Sequence, residues 1–268
     1  MLHSAAGTAE SPIVTAENVT AGYPDRVVWR DASFSLDRGE FTAVIGPNGS
    51  GKTTLFRMLL GLQRPINGTI RIFGDVPRRG NSRIGYVPQR HVFDSETNVE
   101  CLELVHLAYC GQRWGFHLSS KSEREKALRA LAAVGAADLA LKPLNALSGG
   151  ELQRIFLAEA LVSDPDMLLL DEPLSNLDIR RADELVQLVN RVVRSRNVTA
   201  LLVAHDINPL LPYLDQVIYV ANSKVATGAA KDVLTSERLS ALYDTQVEVM
   251  HDSRGNVAII GVEPSGGE

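Results

Sequence analysis

A chain of 268 residues, 45% hydrophobic and 22% charged, has room for one large α/β domain, alone or with a smaller lobe, and its composition is that of an ordinary globular protein. The formal net charge of −5 argues against a nucleic-acid partner, which calls for a basic surface that displaces counterions. No apolar run reaches the length of about 18 residues that spans a bilayer, and the start MLHSAAGTAESP has no basic or apolar signal region. Two cysteines, Cys101 and Cys110, support neither a disulfide framework nor a CxxC metal clip, so a cytosolic compartment is expected.

In chain order, residues 1–11 read as a loose tail rich in Ala, Ser, Gly and Thr. From Ile13 to Ile45, β-rich stretches alternate with turn residues at Tyr23-Pro24-Asp25 and Asp37-Arg38-Gly39. The apolar run Phe41–Ile45 is a strand that breaks at Gly46, and Leu55, Met58, Leu59 and Leu62 beyond it fall at helical spacing. Composition changes near Arg90. Residues 98–111 and 119–134 read as helices, the second opened by Ser120-x-x-Glu123 and closed by Gly135, so an inserted helical lobe is expected over about 90–160. The α/β pattern then resumes with a buried parallel strand at Met167–Leu170 and a helix at Arg180–Arg196 carrying Ala182, Leu185, Val189 and Val192 on one face. Val198–Val203 and Val217–Val220 are two further strands, no internal repeat is seen, and the extension 246–268 holds a short hairpin around Asp252–Gly255. That hairpin either packs on the main domain or regulates it.

Residues 46–53, Gly-Pro-Asn-Gly-Ser-Gly-Lys-Thr, match G-x-x-x-x-G-K-[ST] between a strand and a helix. Glycines there let successive N–H groups point at phosphate oxygens, and the helix N-terminus adds partial positive charge. Lys52 suits the β- and γ-phosphates and the Thr53 hydroxyl suits Mg²⁺. The nucleotide cradle therefore comprises Gly46, Pro47, Asn48, Gly49, Ser50, Gly51, Lys52, Thr53 and Thr54. A phosphate loop by itself leaves kinases, GTPases and many motors open.

The run Leu168-Leu-Leu-Asp171-Glu172-Pro173 puts two carboxylates at the tip of the buried strand. Asp171 suits the Mg²⁺ shell and Glu172 suits a general base facing the attacking water, although two acids before a proline also end strands without any chemistry. Leu147-Ser148-Gly149-Gly150-Glu151 carries two readings as well. Ser148-x-x-Glu151 is a capping box, and the hydroxyl, glycine N–H groups and helix N-terminus together form an anion cradle. A chain with two phosphate cradles and one lysine-bearing loop points to a second copy whose nucleotide the second cradle serves.

With the loop at 46–53, LSGGELQR at 147–154 and LLLDEP at 168–173 in this order, the sequence resembles an ATP-binding cassette over about residues 13–245. The resemblance implies a RecA-like P-loop core with an antiparallel β subdomain and an inserted α-helical subdomain, binding ATP and Mg²⁺, and pairing head to tail with a second copy of itself. It implies that Tyr23 stacks on adenine, that Gln89 touches Mg²⁺ and water, that Asp178 belongs to the loop after the acidic pair, and that His205 contacts the γ-phosphate. Taken singly, these are a turn aromatic, a loop glutamine, a helix cap and a histidine after a strand. Glu172, His205 and Gln89 are thus the expected catalytic group, and Thr53, Gln89 and Asp171 the expected metal shell.

Three machines compete: the separate ATPase subunit of an importer, an exporter's cassette, and a soluble cassette ATPase. One cassette without fused spans suits the first. That implies integral membrane permease subunits, an extracytoplasmic substrate-binding protein in the same system, and a peripheral place on the cytoplasmic membrane face. Residues 84–91 (IGYVPQRH) and 204–215 (AHDINPLLPYLD) are similar to manganese/zinc importer ATPases, and also to the iron-siderophore and cobalamin group. In the lobe, Val92, Phe93, Tyr109, Trp114 and Phe116 form an apolar set, of which Phe93 and Trp114 are candidates for a permease contact or for lobe core. The five histidines besides His205 show no ligand spacing, and His91 near Asp94 reads as surface.

Overall fold

The computed structural model describes residues 11–23, 25–89, 98–111, 121–175 and 177–261. In order, the elements are β1 (Val14–Tyr23), β2 (Arg26–Leu36), β3 (Phe41–Ile45), α1 (Lys52–Leu59), β4 (Asn67–Ile72), β5 (Ile84–Val87), α2 (Cys101–Cys110), α3 (Lys121–Ala133), α4 (Gly149–Leu161), β6 (Met167–Asp171), α5 (Ile179–Arg196), β7 (Thr199–Val203), β8 (Gln216–Ala221), β9 (Lys224–Gly228), α6 (Ala230–Val233), α7 (Ser236–Tyr243), β10 (Val247–His251) and β11 (Val257–Gly261).

Six strands form the central sheet in the order β5-β6-β7-β3-β8-β9, parallel up to β8 and closed by antiparallel β9. Alternation along each strand sends side chains to both faces, and both faces are covered, which is why these strands read as unbroken apolar runs. Phe41, Ala43, Leu168, Leu170, Ala200 and Leu202 enter one core with α4, α5 and the helices α2 and α3. Val44, Met167, Leu169, Leu201 and Val203 enter the other, against α1 and the three-stranded antiparallel sheet β2-β1-β4. The fold is the expected α/β P-loop architecture. α2, α3 and α4 pack on one another, and α4 continues onto β5. Lobe and sheet therefore share one apolar core.

Several expected boundaries move for identifiable reasons. Leu62 was expected on the helical face of α1, but Gly61 adopts φ 67 just past the helix end, and Leu62 is exposed. The helix expected from residue 98 starts at Cys101, because Glu100 is extended and bridges Pro143. Strand β6 gains Asp171 by pairing with Val203 of β7. Of the apolar lobe set, Val92, Phe93, Trp114 and Phe116 lie outside the described residues, as do Ser120, His91 and Asp94. Tyr109 is described, and its hydroxyl accepts from Lys126 Nζ at 3.0 Å. The hairpin at the C-terminal end forms as β10–β11, and Val247 and Val257 join the first core.

Candidate active site

The loop between β3 and α1 folds around its glycines. At Gly46 (φ 149) a Cβ would sit 2.0 Å from the Val220 carbonyl oxygen, and at Gly51 (φ 104) it would sit 2.2 Å from Val28 Cγ1. Only glycine tolerates both the backbone and the space. The loop wraps the ammonium of Lys52, which donates to the carbonyl oxygens of Gly46 at 2.7 Å and Pro47 at 3.0 Å. Burial pushes the Lys52 ammonium down, opposed by the charges of Glu172 and Asp171. Ser50 Oγ is buried with no hydrogen-bond partner among the described residues. Buried hydroxyls are seldom left unpaired, so the loop fits an anionic oxygen as its missing partner. Thr53 is exposed and Thr54 buried on the first turn of α1.

Opposite the loop, β6 delivers the acidic pair. Asp171 is 4% exposed, and its carboxyl is raised above the usual range by burial and then by the charge of Glu172. Tyr86 of β5 donates to Asp171, and burial with this carboxylate pushes its phenol up to about 12, so it stays a neutral donor. Glu172 sits at φ 52, a left-handed conformation that costs a non-glycine residue about 1–3 kcal/mol. Its N–H still bonds the Val203 carbonyl at 3.1 Å. The turn aims its carboxylate at two neighbours on one oxygen, with Gln89 Nε2 at 2.5 Å and His205 Nε2 at 3.0 Å. The three predicted catalytic residues, from three segments, thus meet at Glu172 Oε2. Ser175 Oγ donates to the Glu172 carbonyl at 2.8 Å and steadies the same turn.

Oxygen donors from Thr53, Asp171 and Gln89 are the set a hard divalent cation prefers, so these residues fit Mg²⁺. Tyr23, 43% exposed at the end of β1, has its hydroxyl hydrogen-bonded by Arg57 of α1 at 2.9 Å. That places the aromatic ring beside the helix that follows the phosphate loop.

Ser148 and Glu151 are elsewhere. Ser148 caps α4 with a complete capping box: its N–H and hydroxyl each donate to Glu151 Oε2 at 2.8 Å, and Glu151 N–H donates back. Ser148 and Gly149 are exposed. Ser148, Gly150 and Glu151 line a cleft of about 230 Å³ shared with Arg181 and Glu184 of α5, which no residue of 46–54, nor Asp171, Glu172 or His205, helps to line. Asp178 acts as the N-cap of α5, accepting from Arg181 N–H at 2.9 Å. Glu172 and His205 instead open onto a cleft of about 920 Å³ that includes Ile179, which is 88% exposed.

Two groups escape the sequence reading. Tyr86 stands three residues before Gln89 with no motif of its own, and only the β5–β6 pairing brings it to Asp171. The histidines were expected to show no ligand spacing, yet His106 lies one helical turn from Cys110 and both lie near Glu123. The His-x-x-x-Cys step on α2 was the available signal.

Comparison with known proteins agrees with this geometry. The ABC transporter family pattern matches residues 29–175. The chain is 33% identical to the manganese transport system ATP-binding protein MntB of Bacillus subtilis, over 89% of this chain and 95% of that protein. It is 35% identical to the zinc import ATP-binding protein ZnuC 1 of Hahella chejuensis, over 88% and 85% respectively. A bacterial ABC transporter cassette solved as a dimer superposes with a TM-score of 0.67 at 26% identity, covering 81% of this chain and 98% of that one.

Proposed function

The chain belongs to the ABC transporter family, and from that premise we propose that it is the ATP-hydrolysing subunit of an importer of a divalent metal ion, manganese or zinc. The observation that carries hydrolysis is the meeting of Gln89, Glu172 and His205 at one carboxylate oxygen beside the Lys52 loop. The cargo reading is supported by the names of the relatives above.

In this reading the loop 46–54 binds the phosphates through backbone N–H groups and Lys52. Thr53, Asp171 and Gln89 would hold Mg²⁺, which when bound screens the charge on the phosphates. Glu172 takes a proton from the attacking water, or orients it, and His205 and Gln89 hold that carboxylate in place. The site is incomplete in one chain, because the Ser148–Glu151 cradle lines a different cleft. A second copy arranged head to tail brings its cradle over the Lys52 loop, and the exposed Ile179 suits burial in that contact. Closing on ATP and reopening after phosphate release then work permease subunits in the membrane, with an extracytoplasmic binding protein supplying cargo. Among the described residues no helix is long and apolar enough to cross a membrane, in keeping with a peripheral subunit on the cytoplasmic face.

The test is co-purification with a polytopic membrane partner, followed by ATPase assays in proteoliposomes with metal-loaded binding protein. Stimulation by manganese or zinc supports the reading. Stimulation only by a chelated iron or cobalamin cargo overturns the cargo, and failure to associate with any membrane partner, with hydrolysis unchanged in its presence, overturns the transport role.

A further inference from the structure

Away from the nucleotide, the helical lobe brings three unlike donors together. His106 and Cys110 stand four residues apart on α2, hence on one face of the helix, with Cys110 Sγ 3.4 Å from His106 Nε2. Glu123, in the first turn of α3, points back at them with Oε2 3.9 Å from the same sulfur. All three ligand atoms lie within 4.8 Å of one another. We propose that His106, Cys110 and Glu123 form a binding site for a borderline-soft divalent cation of the zinc class, linking α2 to α3.

The separations support this. A tetrahedral zinc ion, with about 2.3 Å to sulfur and about 2.0–2.1 Å to nitrogen or oxygen, sets its ligand atoms roughly 3.3–3.6 Å apart. Of the two sulfur distances, 3.4 Å to His106 falls inside that range and 3.9 Å to Glu123 lies just above it, so small side-chain rotations would close the set. Glu123 is 6% exposed, so its carboxylate is held within the contact between the two helices. Donor chemistry then chooses the ion. Thiolate and imidazole favour zinc over manganese or magnesium, which prefer oxygen. Glu123 also stands in the Ser120-x-x-Glu123 capping pattern, and a carboxylate has lone pairs enough to accept from a cap and bind an ion. Without an ion the trio is a hydrogen-bonded contact between the helices. With one it becomes a cross-link.

The site does not rest on the import reading, because its test needs neither transport nor a partner. The full chain, stripped with a chelator, is titrated with zinc against a chromophoric competitor, beside the double variant His106→Gln/Cys110→Ser. Both positions are only partly buried and lie outside the ATP machinery, so the variant's zinc-free ATPase rate serves as the check on folding. The expected result is zinc bound by the wild-type chain with an affinity that falls about tenfold or more in the variant. Cobalt substitution should add a thiolate charge-transfer band that Cys110→Ser removes. Equal zinc affinity in both proteins, or cobalt spectra without a sulfur band, overturns the proposal. Either result leaves the transport assays untouched.

Discussion

The side-chain amide of Asn208 and the backbone of Val257 hold each other in both directions: Val257 N–H donates to Asn208 Oδ1 at 2.7 Å, and Asn208 Nδ2 donates to the Val257 carbonyl at 3.1 Å. Asn208 lies three residues beyond His205, and its backbone N–H bonds Asp206 Oδ1 at 2.9 Å. The C-terminal hairpin is thereby tied to the loop that carries the histidine. Replacing Asn208 with Ala removes both bonds from a partly buried residue, at a cost of about 1–3 kcal/mol. The β10–β11 hairpin should then exchange its amide hydrogens faster, and the turnover number should drop while ATP affinity holds. Unchanged protection at Val257 would show that the apolar contacts of the hairpin suffice without the clamp.

Glu172→Gln keeps the shape of the side chain and removes its capacity to take a proton. Hydrolysis should fall by about 10²–10⁴-fold, the range for loss of a general base, while nucleotide binding through Lys52 persists. With ATP present the variant should run as a dimer in size-exclusion chromatography. Phosphate release at the wild-type rate would move the base function to another group.

Gly46 and Gly49 share a loop but not a constraint. An alanine at Gly46 collides with the Val220 carbonyl, whereas at Gly49 (φ 75) nothing lies within 4 Å. Gly49→Ala should therefore fold and lose only the left-handed backbone cost of about 1–2 kcal/mol. Gly46→Ala should lose much more, seen as a far larger drop in melting temperature or as insoluble protein. Similar melting shifts for the two variants would refute the steric argument.

Asp166 joins the start of β6 to two arginines, Arg38 at 2.7 Å and Arg83 at 2.6 Å. Burial acts to raise this carboxyl, but the two guanidinium groups together outweigh it and hold it below its ordinary 3.8. A depressed carboxylate stabilises the fold above its unfolded pKa, and that stabilisation is lost as pH falls through the folded value. Asp166→Asn should cost about 1–2 kcal/mol at pH 7 for a partly exposed double pair. Denaturant melts at pH 7, 5 and 3 should show the difference from wild type narrowing only in the most acid step. A gap independent of pH would assign the loss to packing.

Motifs that act through the backbone of one continuous segment were readable before any coordinates. The Lys52 loop, the strand ending in Asp171-Glu172 and the capping box at Ser148 each need residues adjacent in the chain, so spacing alone encodes them. Strand positions were equally plain, because Phe41–Ile45 and Met167–Leu170 are buried on both faces and leave unbroken apolar runs. Helix ends were less so: Leu62 has the right spacing for α1, and only the left-handed Gly61 excludes it.

Relationships between segments needed the folded chain. Nothing in the spacing of Gln89, Glu172 and His205 says that they share one oxygen; that follows from β5, β6 and β7 lying side by side and from the turn at Glu172. The same holds for Tyr86 on Asp171, Asn208 on Val257, and Glu123 against His106 and Cys110. The cradle at Ser148–Glu151 runs the other way. Its motif was legible, but tertiary structure set it on a cleft without the phosphate loop, because α4 packs on the helical lobe and on β5 rather than across the β3–α1 loop. Local geometry is written in neighbouring residues, whereas a site assembled from distant strands depends on the order in which the sheet pairs them.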